Sequence, residues 1–122
     1  MRCVIVDDSA RFLAAARALL EREGVAVVGV ASTIAEALRL VHELRPDITL
    51  VDIDLGAESG FDLASRLARD GGRGPSRAIL ISTHAESDFA DLIDSSPAVG
   101  FLSKSDLSAE AIRAILNESP ER

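Results

Sequence analysis

Tryptophan and tyrosine are absent from this 122-residue chain, and aromatic residues make up only 3% of it. Cysteine occurs once, at Cys3, so no disulfide can form within the chain. Cys3 sits inside the apolar run Cys3-Val4-Ile5-Val6, where it reads as a small buried hydrophobe rather than a reactive thiol or a ligand. No stretch reaches the ~18 apolar residues that cross a bilayer, and Arg2 to Val6 is too short for the core of a secretion signal. We therefore expect a cytoplasmic protein with no membrane contact. Positive charge is scarce too: 13 Lys and Arg stand against 20 Asp and Glu, giving a formal net charge of −7. Without a basic arm or cluster, direct nucleic-acid binding by this chain is not expected. The Gly-rich segment 71–74 lacks the Lys and Ser/Thr of a phosphate-binding P-loop.

What is present is ordinary globular material, 48% apolar and 27% charged, of a length that makes one domain over residues 1–122. Five short runs rich in Val and Ile, at 3–6, 25–31, 48–53, 78–81 and 99–102, mostly lack polar alternation. Such runs suit strands buried on both faces, as in a parallel sheet covered by helices. Between them, apolar residues recur at helical spacing. Phe12, Ala16, Leu19 and Leu20 mark a first helix stopping near Gly24, and Ile34, Leu38, Val41 and Leu44 a second stopping before Pro46. Thr33 followed by Glu36 predicts a capping box for the second. A third helix carries Phe61, Leu63, Ala64 and Leu67 and ends by the breaker Gly71-Gly72-Arg73-Gly74-Pro75. A short fourth is expected around 87–94, and a fifth from Ser105 or Ser108 to Asn117. Five alternations of strand and helix predict a doubly wound α/β sandwich, with helices on both faces and ligands at the carboxyl ends of the strands.

The polar residues gather at those ends. Asp7 and Asp8 follow the first strand, Asp52 and Asp54 close the third, Ser82, Thr83 and His84 follow the fourth, and Lys104 follows the fifth. An acid ending a buried strand is costly unless a charge meets it. Carboxylates held together repel one another and form a hard-oxygen site for Mg²⁺. With the metal present, one carboxylate oxygen can attack a phosphoryl group, and a lysine and a hydroxyl can stabilise its oxygens.

This constellation resembles the receiver domain of two-component response regulators, over nearly the whole chain. The resemblance implies a flavodoxin-like (βα)5 fold with strand order 2-1-3-4-5 and Mg²⁺ as cofactor. Asp52 matches the phosphoacceptor. Asp7-Asp8 matches the metal-binding pair, with Asp8 the more direct ligand and Asp7 acting largely through water, and the backbone carbonyl of Asp54 completes the shell. Gly60 matches the glycine before the third helix, and Ser82 takes the place of the Thr or Ser that senses the phosphoryl group. Lys104 matches the family's lysine and Phe101 its aromatic switch. Thr83 and His84 fall at the rim of the site, where Thr83 is bulkier than the family's usual small residue. Gly56 replaces a common proline and is expected to loosen the loop over the site.

Plainer roles are weighed beside these. Asp7 and Asp8 could in part serve the first helix as cap and first-turn charge, although Ser9 can cap equally well. The Asp54 side chain is expected in solvent, with only its backbone used, and His42 and the acids Asp88, Asp91 and Asp94 belong to solvated faces. The resemblance implies a histidine kinase or phosphotransfer protein as donor, catalysis only of the domain's own phosphorylation and dephosphorylation, and a switching face made by the fourth helix, fifth strand and fifth helix. That face would engage a downstream effector or an output domain, of which this sequence shows none, or a second copy of the chain. Two other functions are carried: a phosphorylation-independent binding module, and a haloacid-dehalogenase-like phosphatase suggested by Asp52-Ile53-Asp54. The latter pair normally closes a first strand in a longer chain.

Overall fold

The structure is a computed structural model that describes residues 1–69 and 77–118. Its sheet contains five parallel strands: β1 (Arg2–Val6), β2 (Ala26–Ala31), β3 (Ile48–Asp52), β4 (Ala78–Ser82) and β5 (Gly100–Ser103). Their order is β2-β1-β3-β4-β5, so the chain winds outward first one way and then the other from β1. The helices are α1 (Ala10–Arg22), α2 (Ile34–Leu44), α3 (Gly60–Arg69), α4 (Ala90–Ser95) and α5 (Ala109–Glu118).

The strands read as largely apolar runs because both faces of the sheet are covered. Val4, Val6, Val51 and Leu80 join Ile34, Ala37, Leu63 and Leu67 of α2 and α3 in one core layer. Cys3, Ile5, Leu50, Ile79 and Ile81 join Ala16, Leu20 and Ile112 of α1 and α5 in the other. Each fully buried Ile or Leu contributes about 1.5–3 kcal/mol. Burial also pushes the Cys3 thiol up to about 12, which leaves it an inert packing group.

Local chemistry sets the helix ends. The Ser9 hydroxyl accepts the Phe12 amide and so caps α1, and Thr33 accepts the Glu36 amide to cap α2. Glu36 reaches back to the Ser32 amide at 2.9 Å, one residue earlier than the predicted capping box requires. Arg45, left-handed at φ 48°, closes α2, and the Arg2 guanidinium donates to the Leu44 and Arg45 carbonyls there.

Two features differ from expectation. The fourth helical segment is compound, a 3₁₀ turn at Glu86–Phe89 leading into α4, because its polar sequence offers little apolar face to stabilise one longer helix. Between β3 and α3 lies a two-stranded antiparallel hairpin, Asp54–Leu55 against Glu58–Ser59, too short to produce a periodic signal. The predicted breaker at 71–75 falls outside the described residues.

Candidate functional site

Parallel register assembles the site. Val6 pairs with Val51, so Asp7 and Asp52, the next residues on adjacent strands, leave the carboxyl edge side by side. Ile81 pairs with Leu102 and Ser82 with Ser103, which brings Ser82 and Lys104 to the same edge. Asp7, Asp8 and Asp52 each bring a carboxylate oxygen within 4.8 Å of the other two.

The three acids differ in setting. Asp7 is fully buried; its Oδ1 accepts the Ser9 amide at 2.8 Å, and its Oδ2 stands 2.6 Å from Lys104 Nζ. That ion pair is short but badly aligned, leaving Asp7 Oδ2 without a hydrogen bond of good geometry. Asp8 is exposed to solvent. Asp52 is buried, its Oδ1 accepting the Asp54 amide at 3.1 Å and its Oδ2 accepting Lys104 Nζ at 3.2 Å.

Lys104 is the only lysine among thirteen Lys and Arg residues, and it lies where two buried carboxylates meet. Its ammonium also sits 4.3 Å from the centroid of the Phe12 ring. Burial alone would lower its pKa, but contact with Asp7 and the charges of Asp52 and Asp7 outweigh burial and raise it. Asp52 moves up to about 6: burial raises it, the Asp54 amide opposes, the Asp7 charge raises it further, and Lys104 opposes. One ammonium does not neutralise three acids, and one buried oxygen lacks a good donor. This hard-oxygen set fits Mg²⁺.

The remaining predicted residues border this centre. Ser82 is buried, and its Oγ accepts the His84 amide at 2.9 Å. The exposed His84 ring stands edge-on to Phe89, with centroids 5.7 Å apart, and Thr83 is exposed beside it. Phe101, half-buried on β5, packs against the core layer of α2 and α3. Gly60 donates its amide to the Ile53 carbonyl at 3.0 Å, and a Cβ there would collide with the Asp52 carbonyl oxygen. The Asp54 side chain is exposed as expected, but its Oδ1 also accepts the Gly56 amide at 3.1 Å. That turn belongs to the hairpin.

Two neighbours of the site were not foreseen. Phe12 fits the apolar stripe of α1, so its second contact, with Lys104, has no separate sequence signal. Glu58 accepts the Ile34 amide at 2.9 Å from across the hairpin, a tertiary contact that only an acid near a helix start could hint at.

The family model for the response regulator receiver domain matches residues 3–117. The chain belongs to this receiver family. It is 32% identical over 117 residues to the transcriptional regulatory protein YvfU of Bacillus subtilis, covering 93% of this chain and 58% of that protein. A two-component response regulator of the LuxR family from Aurantimonas superposes with a TM-score of 0.81 at 32% identity, covering 95% of this chain and 82% of that one. A Burkholderia pseudomallei response regulator, solved with a phosphorylated aspartic acid, a calcium ion and citrate, gives 0.77 at 28% identity and covers 94% and 65%. This receiver spans about half the length of the curated relatives it matches, 54%, 58% and 53% of three of them. Among the described residues no helix is long and apolar enough to cross a membrane.

Proposed function

We propose that this receiver takes a phosphoryl group onto Asp52 from a histidine kinase or phosphotransfer protein and thereby switches the face formed by α4, β5 and α5. The observation that carries this reading is the single lysine bound between Asp7 and Asp52 at an edge where Asp8 and Ser82 also converge. Asp7, Asp8, Asp52 and the Asp54 carbonyl are the groups that would hold Mg²⁺. Bound there, Mg²⁺ would offset the repulsion among carboxylates and incoming phosphoryl oxygens.

In transfer, an Asp52 carboxylate oxygen attacks phosphorus as the bond to the donor's histidine nitrogen breaks. Lys104 already lies 3.2 Å from Asp52 and needs little movement to meet a phosphoryl oxygen. Ser82 Oγ accepts the His84 amide and stands 3.4 Å from His84 Nδ1, so its proton has two destinations, that ring nitrogen or an oxygen of the new anion, which gives the switch two alternatives. The space released as Ser82 moves is the proposed trigger for Phe101 to turn inward on β5. The phosphorylated aspartate and the divalent ion of the Burkholderia pseudomallei relative support this reading.

Incubation with acetyl phosphate and Mg²⁺, followed by intact mass, tests the proposal. The expected result is one phosphoryl adduct that vanishes on chelation and in Asp52→Asn. A folded protein that gains no adduct from either acetyl phosphate or a panel of phosphorylated histidine kinases would favour a binding module instead.

A further inference from the structure

Gly56 stands at φ +74°, a backbone conformation closed to proline, whose ring holds φ near −65°. This receiver therefore cannot stiffen its loop with proline at that position, yet the loop carries the Asp54 backbone and runs against Asp8. A Cβ on Gly56 would lie 3.1 Å from Asp8 Oδ2. Three contacts order the loop. Its hairpin pairs Asp54 with Ser59 and Leu55 with Glu58, and Leu55 is buried in the α2 and α3 core layer. The Asp54 carboxylate accepts the Gly56 amide. Glu58 reaches out of the hairpin, and its Oε1 accepts the Ile34 amide at the first residue of α2, 24 positions away.

Thr33 caps this helix through the Glu36 amide and leaves the Ile34 amide free, so Glu58 supplies from the hairpin an acceptor that α2 does not provide itself. A carboxylate is favoured at a helix start by both the free amides and the helix dipole, so the tie is strong for one made by a surface side chain. Pulling on Ile34 through Glu58 acts directly on the hairpin strand opposite Asp54 and Leu55. We propose that Glu58 is a positioning residue for the acid site: it latches the hairpin to α2 and so fixes the Asp54 backbone and the Gly56 turn beside Asp8 and Asp52. This inference rests on the reading of the acids as a Mg²⁺ and phosphoacceptor site.

The test compares Glu58→Ala, which removes the acceptor, with Glu58→Gln, which keeps an oxygen for the Ile34 amide. Amide exchange by NMR in metal-free protein reads the latch, calorimetric Mg²⁺ titration reads the site, and acetyl phosphate labelling reads the chemistry. In Glu58→Ala, exchange at Ile34, Asp54 and Gly56 is expected to accelerate about tenfold together, as for loss of a hydrogen bond to a charged group. The Mg²⁺ Kd should rise about tenfold, the lower end for losing a group that orients a metal's surroundings. Glu58→Gln should fall between Glu58→Ala and wild type in both, since its amide oxygen keeps the acceptor but loses the charge that the helix start favours. Faster exchange at Ile34 alone, with Asp54, Gly56 and Mg²⁺ affinity unchanged, would reduce Glu58 to a helix cap and overturn the proposal. A wild type that binds Mg²⁺ but takes no phosphoryl group would instead overturn the phosphoacceptor reading, while exchange and Mg²⁺ affinity still decide the latch.

Discussion

Lys104 Nζ lies 2.6 Å from Asp7 Oδ2, and the Asp7 side chain is fully buried. Removing the ammonium leaves that carboxylate facing Asp52 with no cation, the costly direction in which to break a buried pair. Lys104→Met is expected to lose about 3 kcal/mol of unfolding free energy in chelator near pH 8. Saturating Mg²⁺ should recover a good part of the loss by binding only the folded acids. Urea denaturation with and without Mg²⁺ measures both. A loss under about 1 kcal/mol would mean that Lys104 is not what offsets the buried Asp7 carboxylate.

The Asp52 carboxyl, raised to about 6 from 3.8, fixes the sign of a pH dependence. Because the fold favours its protonated form, its contribution to stability is fully present below about pH 4 and is lost as pH rises through about 6. Many other groups titrate in the same window, so the comparison must be with Asp52→Asn, which stays neutral throughout. In chelator, the melting temperature of wild type minus that of the variant should fall between about pH 4 and 6 and then level off. With Mg²⁺ the trend should reverse, since the ion binds the ionised carboxylates. A difference that stays flat across the window would mean that Asp52 is not raised in the fold.

The sheet was legible because strands buried on both faces have to be mostly apolar: Cys3 to Val6 is apolar throughout, and Ile48 to Val51 is broken only by the buried Thr49. Asp7, Asp52, Ser82 and Lys104 stood out for the complementary reason: each follows such a run with a group that cannot stay buried alone. The hairpin at 54–59 was not legible, because two-residue strands carry no period and Gly56 signals only freedom. Glu58 and Phe12 were missed for another reason. Their roles depend on distant partners, Ile34 and Lys104, that only the fold brings near.

Gly60 and Gly56 should respond differently to substitution. At Gly60 the obstruction is the Asp52 backbone carbonyl, which cannot move without shifting the acceptor itself. Gly60→Ala should therefore lower stability by about 2–3 kcal/mol and also slow acetyl phosphate labelling. At Gly56 the obstruction is conformational. Gly56→Pro, although it restores the residue common in the family, should destabilise by about 1–3 kcal/mol because φ cannot reach +74° and the bond to Asp54 is lost. Thermal melts of the two variants check both, and a Gly56→Pro protein more stable than wild type would show that the hairpin turn is not held as described.

Phe12 offers a test of how the site lysine is held. Its ring meets the Lys104 ammonium at 4.3 Å from the third position of α1, whose amide is bonded to the Ser9 cap, so the ring is fixed by the helix start. A partly desolvated cation over an aromatic face gains about 1 kcal/mol. Phe12→Leu keeps an apolar side chain in the α1 stripe but removes that attraction, and Phe12→Tyr restores a ring. A double-mutant cycle of Phe12→Leu with Lys104→Met should give a coupling energy of about 1 kcal/mol, while the cycle of Phe12→Leu with a distant exposed change such as Arg39→Met should give about zero. Loss of the ring frees the ammonium to sample positions away from Asp52, so labelling by acetyl phosphate should slow in Phe12→Leu and recover in Phe12→Tyr. Coupling near zero, with unchanged labelling, would mean that Asp7 and Asp52 alone orient the lysine and that Phe12 only packs.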